Sequence, residues 1–455
     1  MSEWLPVMLS KESYQASTLP GSAQRLLNMY PEILPEGAKG QMALLATPAL
    51  SAFAEIGDGP IRGMRVMGAY AWVVSGEELY QVDRNGAAAL IGTVSGSRDC
   101  YMTDNGTHVG IAADAHFYAA NASGITEVNS ERYSGATFQD GYGILAKEGT
   151  QEFYLTGLDD MTTVAALDFS TADAFPDSLV TCISHRRQLI LLGETGTEIW
   201  DNTGNAAFPF ERSGGGYIDR GCKAAGSVAK NEEVVTWLSN DLSVRALAGY
   251  QAQRISTPAI ELLIKDVADP SSARGFTYSQ GGHEFYALSF ATLSLVYDFT
   301  TGRWHERQTF GDNRWRAHHH AALGGKQIVG DFETGELYEL EPSTYSDDDM
   351  RVFTSSMLNG EGHRAIMDEV LLEAEAGVGE TTGDDDPAVL LDWSDDGGKT
   401  WSNQRQARLG ALGEYGTVVN WTRLGAFRQR ILRFSMRANC KLAVTGCRAR
   451  IELMA

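Results

Sequence analysis

YAWVVSGEELYQVD, residues Tyr70 to Asp83, reads as an apolar strand, a turn at Gly76 and a second strand ending Leu-Tyr-x-Val-Asp. Such a hairpin needs Gly or Asn where φ is positive and alternating apolar and polar residues along its strands. Variants recur at Leu189–Gly204 (LILLGETGTEIWDNTG) and Gln327–Glu341 (QIVGDFETGELYELE), with a weaker copy at Gly110–Gly124. Looser copies lie in Thr162–Ala172, Leu242–Gly249 and Leu293–Trp304. Aligned on Tyr80, Tyr118, Leu167, Trp200, Ala246, Tyr297 and Tyr338, they are spaced 33 to 51 residues apart. A four-stranded propeller blade repeats every ~40–50 residues. One small sheet cannot bury both faces alone, whereas a closed ring of them can. The pattern predicts an all-β chain with a six- or seven-bladed β-propeller over residues 60–345; ordinary hairpins in a large sandwich are the alternative.

At 455 residues the chain is too long for one core, so further domains are expected on either side. Residues 1–59 do not repeat, and Pro20, Pro31, Pro35 and Pro48 break any long helix. Ser22–Met29 has room for two helical turns at most. The segment reads as an extended arm packing on the C-terminal domain or a neighbouring subunit. From residue 346, after the run Asp347-Asp348-Asp349, the strands alternate differently. Ile431, Arg433, Ser435 and Arg437 oppose Leu432, Phe434 and Met436, the pattern of a half-buried antiparallel strand. Residues 346–455 are expected to form a β-sandwich-like domain, interrupted by the acidic loop Gly377–Pro387.

The net charge of −22 repels DNA phosphate and anionic membranes, which argues against a protein that grips nucleic acid but not against one lining a passage for it. Five cysteines without C-x-x-C spacing read as reduced, buried thiols from a cytoplasm. Neither a signal peptide nor a membrane-spanning apolar run is visible, so no membrane insertion is expected.

Three clusters invite a chemical reading. Arg186, Arg187, Arg212 and Arg220 flank the Gly-rich Ser213–Gly216, where backbone N–H groups can cradle an anion; the P-loop pattern is missing, and a blade-connecting loop is the default. In His318-His319-His320, strand alternation puts His318 and His320 on one face and His319 on the other. Two such imidazoles need a third ligand that no H-x-x-x-H spacing supplies, so no metal is expected. Ser394–Trp401, SDDGGKTW, resembles the Asp-box of sialidases. Its logic is local: Asp396 bonds turn N–H groups with Ser394 and Thr400 nearby, Gly398 takes positive φ, and Trp401 caps the hairpin. This is a folding device, and no arginine triad with a Tyr nucleophile is identifiable. No catalytic residue, cofactor or nucleophile motif emerges.

The whole chain resembles the tail hub, or nozzle, proteins of short-tailed bacteriophages, also called packaged DNA stabilisation proteins. The resemblance is carried by Leu26–Glu32 (LLNMYPE), Leu44–Leu50 (LLATPAL), Ile61–Met64 leading into VVSGEELYQVD, and the C-terminal run Trp421–Glu452 with Arg423, Gly425, Arg428, Gly446, Cys447, Ile451 and Glu452. It implies a non-enzymatic virion component assembled in the host cytoplasm: a ring, commonly a homohexamer, below the portal and its head–tail adaptor ring. Such a ring prolongs the channel, retains packaged DNA, conducts it at ejection without sequence-specific binding, and anchors tail fibres, spikes or a plug. A carbohydrate-active propeller, either sialidase-like glycosidase or lectin, is the alternative; a peptide-binding scaffold is a third reading.

Overall fold

The computed structural model describes residues 3–15, 22–37, 40–360, 363–379 and 386–454. Glu380–Asp385, the middle of the acidic loop, lies outside them. Seven consecutive four-stranded antiparallel sheets form a ring, from the first blade at Ile61–Thr93 to the seventh at Ala317–Glu339. The first strand of every blade faces the axis, since residues from all seven line the central channel.

Two departures from the simple hairpin reading have physical causes. The alternation expected of half-buried strands holds for inner strands such as Tyr133–Gln139 and Ala317–Leu323. It fails for second strands such as Val109–Ala113, buried throughout, because each blade is covered on both faces by its neighbours. Second, the third blade's copy is anchored at Tyr154, not at Leu167, which lies in that blade's outer strand Asp160–Thr171. The signature is Glu-x-aromatic: the hydroxyls of Tyr80, Tyr154 and Tyr338 donate to Glu78, Glu152 and Glu336, and Trp200 Nε1 donates to Glu198. Each pair locks an aromatic ring on the third strand of its blade.

Ring closure moves the boundary drawn at residue 59. Ser51–Glu55 is the outer strand of the seventh blade, pairing antiparallel with Glu336–Glu339. The chain therefore enters the ring through its last blade and closes it non-covalently. Backbones meet tightly here: a Cβ on Gly335 would stand 2.2 Å from Ile56 O.

The rest of the arm stitches propeller to sandwich. Ser22–Met29 is not helical; Leu26–Leu27 is a strand inserted between Arg303–Glu306 of the sixth blade and Arg351–Thr354 of the C-terminal domain. Two open strand edges satisfy its backbone groups, and both leucines are buried. Met29–Ile33 and Met42–Ala46 form a hairpin continuing onto Ala443–Val444, while Glu3–Pro6 pairs with Arg448–Ile451. One sheet thus runs from the sixth blade through the arm into the sandwich. The sandwich core joins Leu26 and Met29 of the arm to Phe353, Trp421, Phe434 and Met436. The single α-helix among the described residues, Pro258–Lys265, follows a Thr257 cap and buries Ile260 and Ile264 against the sixth blade.

Candidate functional site

The axis of a propeller is where ligands and catalytic groups converge, and here all seven blades contribute residues to a central channel. It encloses about 360 Å³, small-molecule size. Asp99, just ahead of the second blade's inner strand, meets the sixth and seventh blades there. His318 Nε2 lies 3.2 Å and His319 Nε2 3.5 Å from its carboxylate, and Arg274 Nη1 lies 3.6 Å from it. Burial alternates along this strand, but a β-bulge between Ala317 and His319 brings both His318 and His319 within reach of Asp99. His320 instead contacts Gln327 at 2.6 Å.

The far sides of the two imidazoles decide what this cluster is. Arg274 Nη2 donates to His319 Nδ1 at 3.0 Å, and Arg314 Nη2 donates to His318 Nδ1 at 3.1 Å. A guanidinium can only donate, so each Nδ1 carries a lone pair and each neutral ring has its proton on Nε2, facing Asp99. Burial would raise the Asp99 carboxyl, but Arg274 and the two imidazole N–H groups outweigh it and hold it well below the usual range. Burial, reinforced by Arg274, pushes His319 down to about 3; burial also lowers His318 against the pull of Asp99. Among the described residues, Asp99, His318 and His319 are the one group whose ligand atoms cluster closely enough for a metal ion. Their tautomers do not fit: a cation would meet two N–H groups and a guanidinium. The arrangement bridges blades at the axis through three hydrogen bonds, Arg314–His318, His318–Asp99 and Arg274–His319, with His319 and Arg274 also within ion-pair range of the Asp99 carboxylate.

Nor does the channel form a sialidase site. Tyr101 lies 5.6 Å from the Arg274 guanidinium, but burial pushes its hydroxyl up to about 12, the wrong direction for a nucleophile. Arg62 Nε and Nη1 donate to the carbonyls of Arg98, Gly76 and Val94, its Nη2 lies 3.7 Å from Asp114, and Arg65 pairs with Asp104 at 2.6 Å. Three guanidiniums do not converge on one space.

The Asp-box-like segment sits in the sandwich, between strands Ala388–Ser394 and Arg405–Arg408. Asp396 accepts from the N–H groups of Lys399 and Thr400, both at 2.9 Å, and from Thr400 Oγ1 at 2.6 Å. Ser394 Oγ accepts from Gly398 N at 2.8 Å, with Gly398 at φ +96°. Trp401 lies under the Arg433 guanidinium at 3.9 Å. The polar atoms of Ser394 and Asp396 are used on their own turn, and Asp395 holds the turn to Arg430 of a neighbouring strand.

Ser213–Gly216 is part of a strand, Phe210–Ile218, rather than a connecting loop. Its flanking cations already have partners: Arg187 with Asp140, Arg212 with Asp173 and Glu198, Arg220 with Asp241, and Arg186 with the Glu232 carbonyl. The five cysteines are buried, and none forms a disulfide among the described residues.

A seven-bladed propeller fused through a shared sheet to a β-sandwich, with an axis tied by buried polar bonds, is the class of protein this fold defines. A family model described as bacteriophage P22 Gp10, beta-propeller, matches residues 14–345, and a second, bacteriophage P22 Gp10, beta-sandwich, matches residues 350–452. The chain belongs to the bacteriophage P22 Gp10 family and is a phage tail structural protein. Comparison with curated proteins found no match. Among solved structures, it is similar to the Pan2 WD40 domain of Neurospora crassa (10% identity, TM-score 0.43, 64% of this chain and 95% of that one). It is also similar to BamB from Moraxella catarrhalis (11%, 0.41, 69% and 97%) and to the Cps50 (Swd1) β-propeller domain of Myceliophteria thermophila (10%, 0.45, 64% and 99%). With TM-scores below 0.5, these likenesses carry no weight for function.

Proposed function

We propose that this chain is the tail hub, or nozzle, of a short-tailed phage virion. Copies form a ring, a homohexamer, that docks below the portal and its adaptor ring. The ring lengthens the channel, helps retain packaged DNA, conducts it during ejection and anchors fibres, spikes or a plug. The observation that carries the reading is the family match over both the propeller and the sandwich, in order and nearly end to end. The geometry supports it in two ways. The propeller axis is far too narrow for a duplex and is tied across by Asp99, so a DNA passage has to lie between subunits rather than through one. The net charge of −22 suits a wall along which DNA slides without sticking.

On this reading the protein has no catalytic activity of its own. The test is negative-stain imaging of the purified chain alone and with a portal–adaptor complex. A ring seated coaxially on that complex is expected. A chain that stays monomeric with the complex, and hydrolyses sialosides, would return the carbohydrate-active alternative.

A further inference from the structure

The outer ladders of the blades share one irregularity, and two blades exaggerate it. Beside the third-strand aromatic, the first, second and seventh blades each skip a single residue of the outer strand. In the third blade the pairing jumps from Val164, opposite Thr156, to Phe169, opposite Tyr154, extruding Ala165–Asp168. In the fourth it jumps from Arg212, opposite Trp200, to Tyr217, opposite Glu198, extruding Ser213–Gly216. An Arg212–Asp173 pair at 2.9 Å joins the residue just before the fourth blade's extrusion to the chain just past the third blade's outer strand. Together they present Leu167, 87% exposed, and Tyr217, 60% exposed, beside the exposed carboxylates Asp168, Asp173 and Glu211. One extrusion sets Leu167 in solvent among carboxylates, and Tyr217 stands exposed where pairing resumes after the other; the pair mark an interaction surface.

The complementary charge is on the sandwich. Its other arginines are largely spent internally: Arg430 on Asp395, Arg433 on Asp392, Arg437 on the Asp347 carbonyl. Arg364, Arg423 and Arg428 are exposed and have no carboxylate partner among the described residues. Arg364 and Arg428 flank the paired residues Ala365 and Phe427 at one strand end. Arg423 is turned out by a bulge, at φ +60°, a conformation that non-glycine residues rarely adopt. Arg405 holds the carbonyls of Thr422 and Arg423 at 3.0 Å, and Arg430 holds that of Leu424 at 2.8 Å. On a chain with a net charge of −22, this is a built basic patch, and the acidic surface it most readily meets is a second copy. The sandwich extends from the sixth blade; the third blade lies opposite it across the wheel, with the fourth beside the third.

We propose that Arg364, Arg423 and Arg428 of one copy dock on the extruded rim of the third and fourth blades of the next, around Leu167, Asp168, Asp173 and Tyr217. Two different patches on far sides of one chain make a head-to-tail contact, the kind that closes into a ring when the rotation per subunit allows. This rests on the ring reading above and supplies its contact surfaces.

The test is sedimentation velocity of the full chain over a concentration and salt series. Reversing the patch (Arg423→Glu with Arg428→Glu), or the rim (Asp168→Arg with Asp173→Arg), is expected to weaken assembly at least tenfold. Combining all four substitutions in one chain, or mixing the two reversed variants, is expected to restore it. All four side chains are exposed, and unchanged thermal melts of the variants confirm the fold. If the wild-type chain assembles and neither reversal alters it, this inference is overturned while the ring reading stands. If the wild-type chain forms no ring, alone or on a portal–adaptor complex, both fall.

Discussion

Replacing Asp99 by Asn removes the charge toward which two imidazole N–H groups and Arg274 point. The amide can also turn its own N–H groups against theirs. A third of the Asp99 side chain is still exposed to solvent, so the expected loss is that of buried donors left badly paired, about 1–3 kcal/mol, rather than that of a fully buried broken ion pair. Urea denaturation measures it, and a neutral result would mean that channel water replaces the carboxylate without cost. At ring closure, Gly335→Ala drives a Cβ to 2.2 Å from Ile56 O. Backbone has to move, and overpacking of this kind costs about 1–3 kcal/mol. The control is Gly325→Ala: nothing lies near a Cβ there, although φ is +88°. A Gly335 variant no less stable than that control would show the closure to be pliable.

The element that decides whether the wheel stays shut is Ser51–Glu55. Ala54 pairs with Leu337 in the seventh blade. Ala54→Pro is expected to cost about 1–3 kcal/mol, from the lost N–H and the ladder acceptor it leaves unpaired. Hydrogen exchange locates the damage: amides of Lys326–Asp331 and Glu336–Glu339 should lose protection, those of the third blade should not. Uniform loss across all seven blades would mean that the ring opens only globally. This strand also marks where the sequence stops being legible. The blades could be read because their hairpins are local, and Glu-x-aromatic at Glu78/Tyr80, Glu198/Trp200 and Glu336/Tyr338 sits beside each turn. In the third blade the same signature at Glu152/Tyr154 was there to be read, but the extruded Ala165–Asp168 stretched the spacing and drew the alignment to Leu167. Ser51–Glu55 has no turn leading to its partner; the pairing spans the whole propeller. Leu26–Leu27 is hidden likewise, since both its neighbours are distant strands. The polar chain at the axis draws Asp99, Arg274, Arg314 and two histidines from separate blades, and the bulge before His319 has no sequence signal. The helix at Pro258 did have one, a Thr cap followed by Pro at the first helical position with Glu261 in the first turn.

At the scale of the whole molecule, the buried titratable groups set an acid limit. Burial, together with Arg307, pushes His305 down to about 3, and neither ring nitrogen has a hydrogen-bond partner among the described residues. His319 is likewise at about 3 and His320 at about 4, and His318 is lowered in the same sense. Their ordinary value is 6.5. As pH falls through 6.5 toward 4, the unfolded chain binds protons that the folded chain refuses, so stability is full above that window and is lost within it. Two groups oppose the trend. Burial raises Asp349 to about 6, so its protonation favours the folded chain over the same range; the Asp298 hydrogen bond raises His283 with the same sign, but that gain accrues above pH 6.5 and is constant below it. Four depressed histidines outweigh two raised groups, and Tm is expected to fall steadily from pH 7 to pH 4.5. His305 sits among Tyr30, Phe285 and Arg307, so His305→Phe keeps the ring contacts and deletes the proton site. That variant should lose less Tm over the same interval than the wild type does. An identical slope would mean that His305 is hydrated in the folded chain and takes no part in the acid limit.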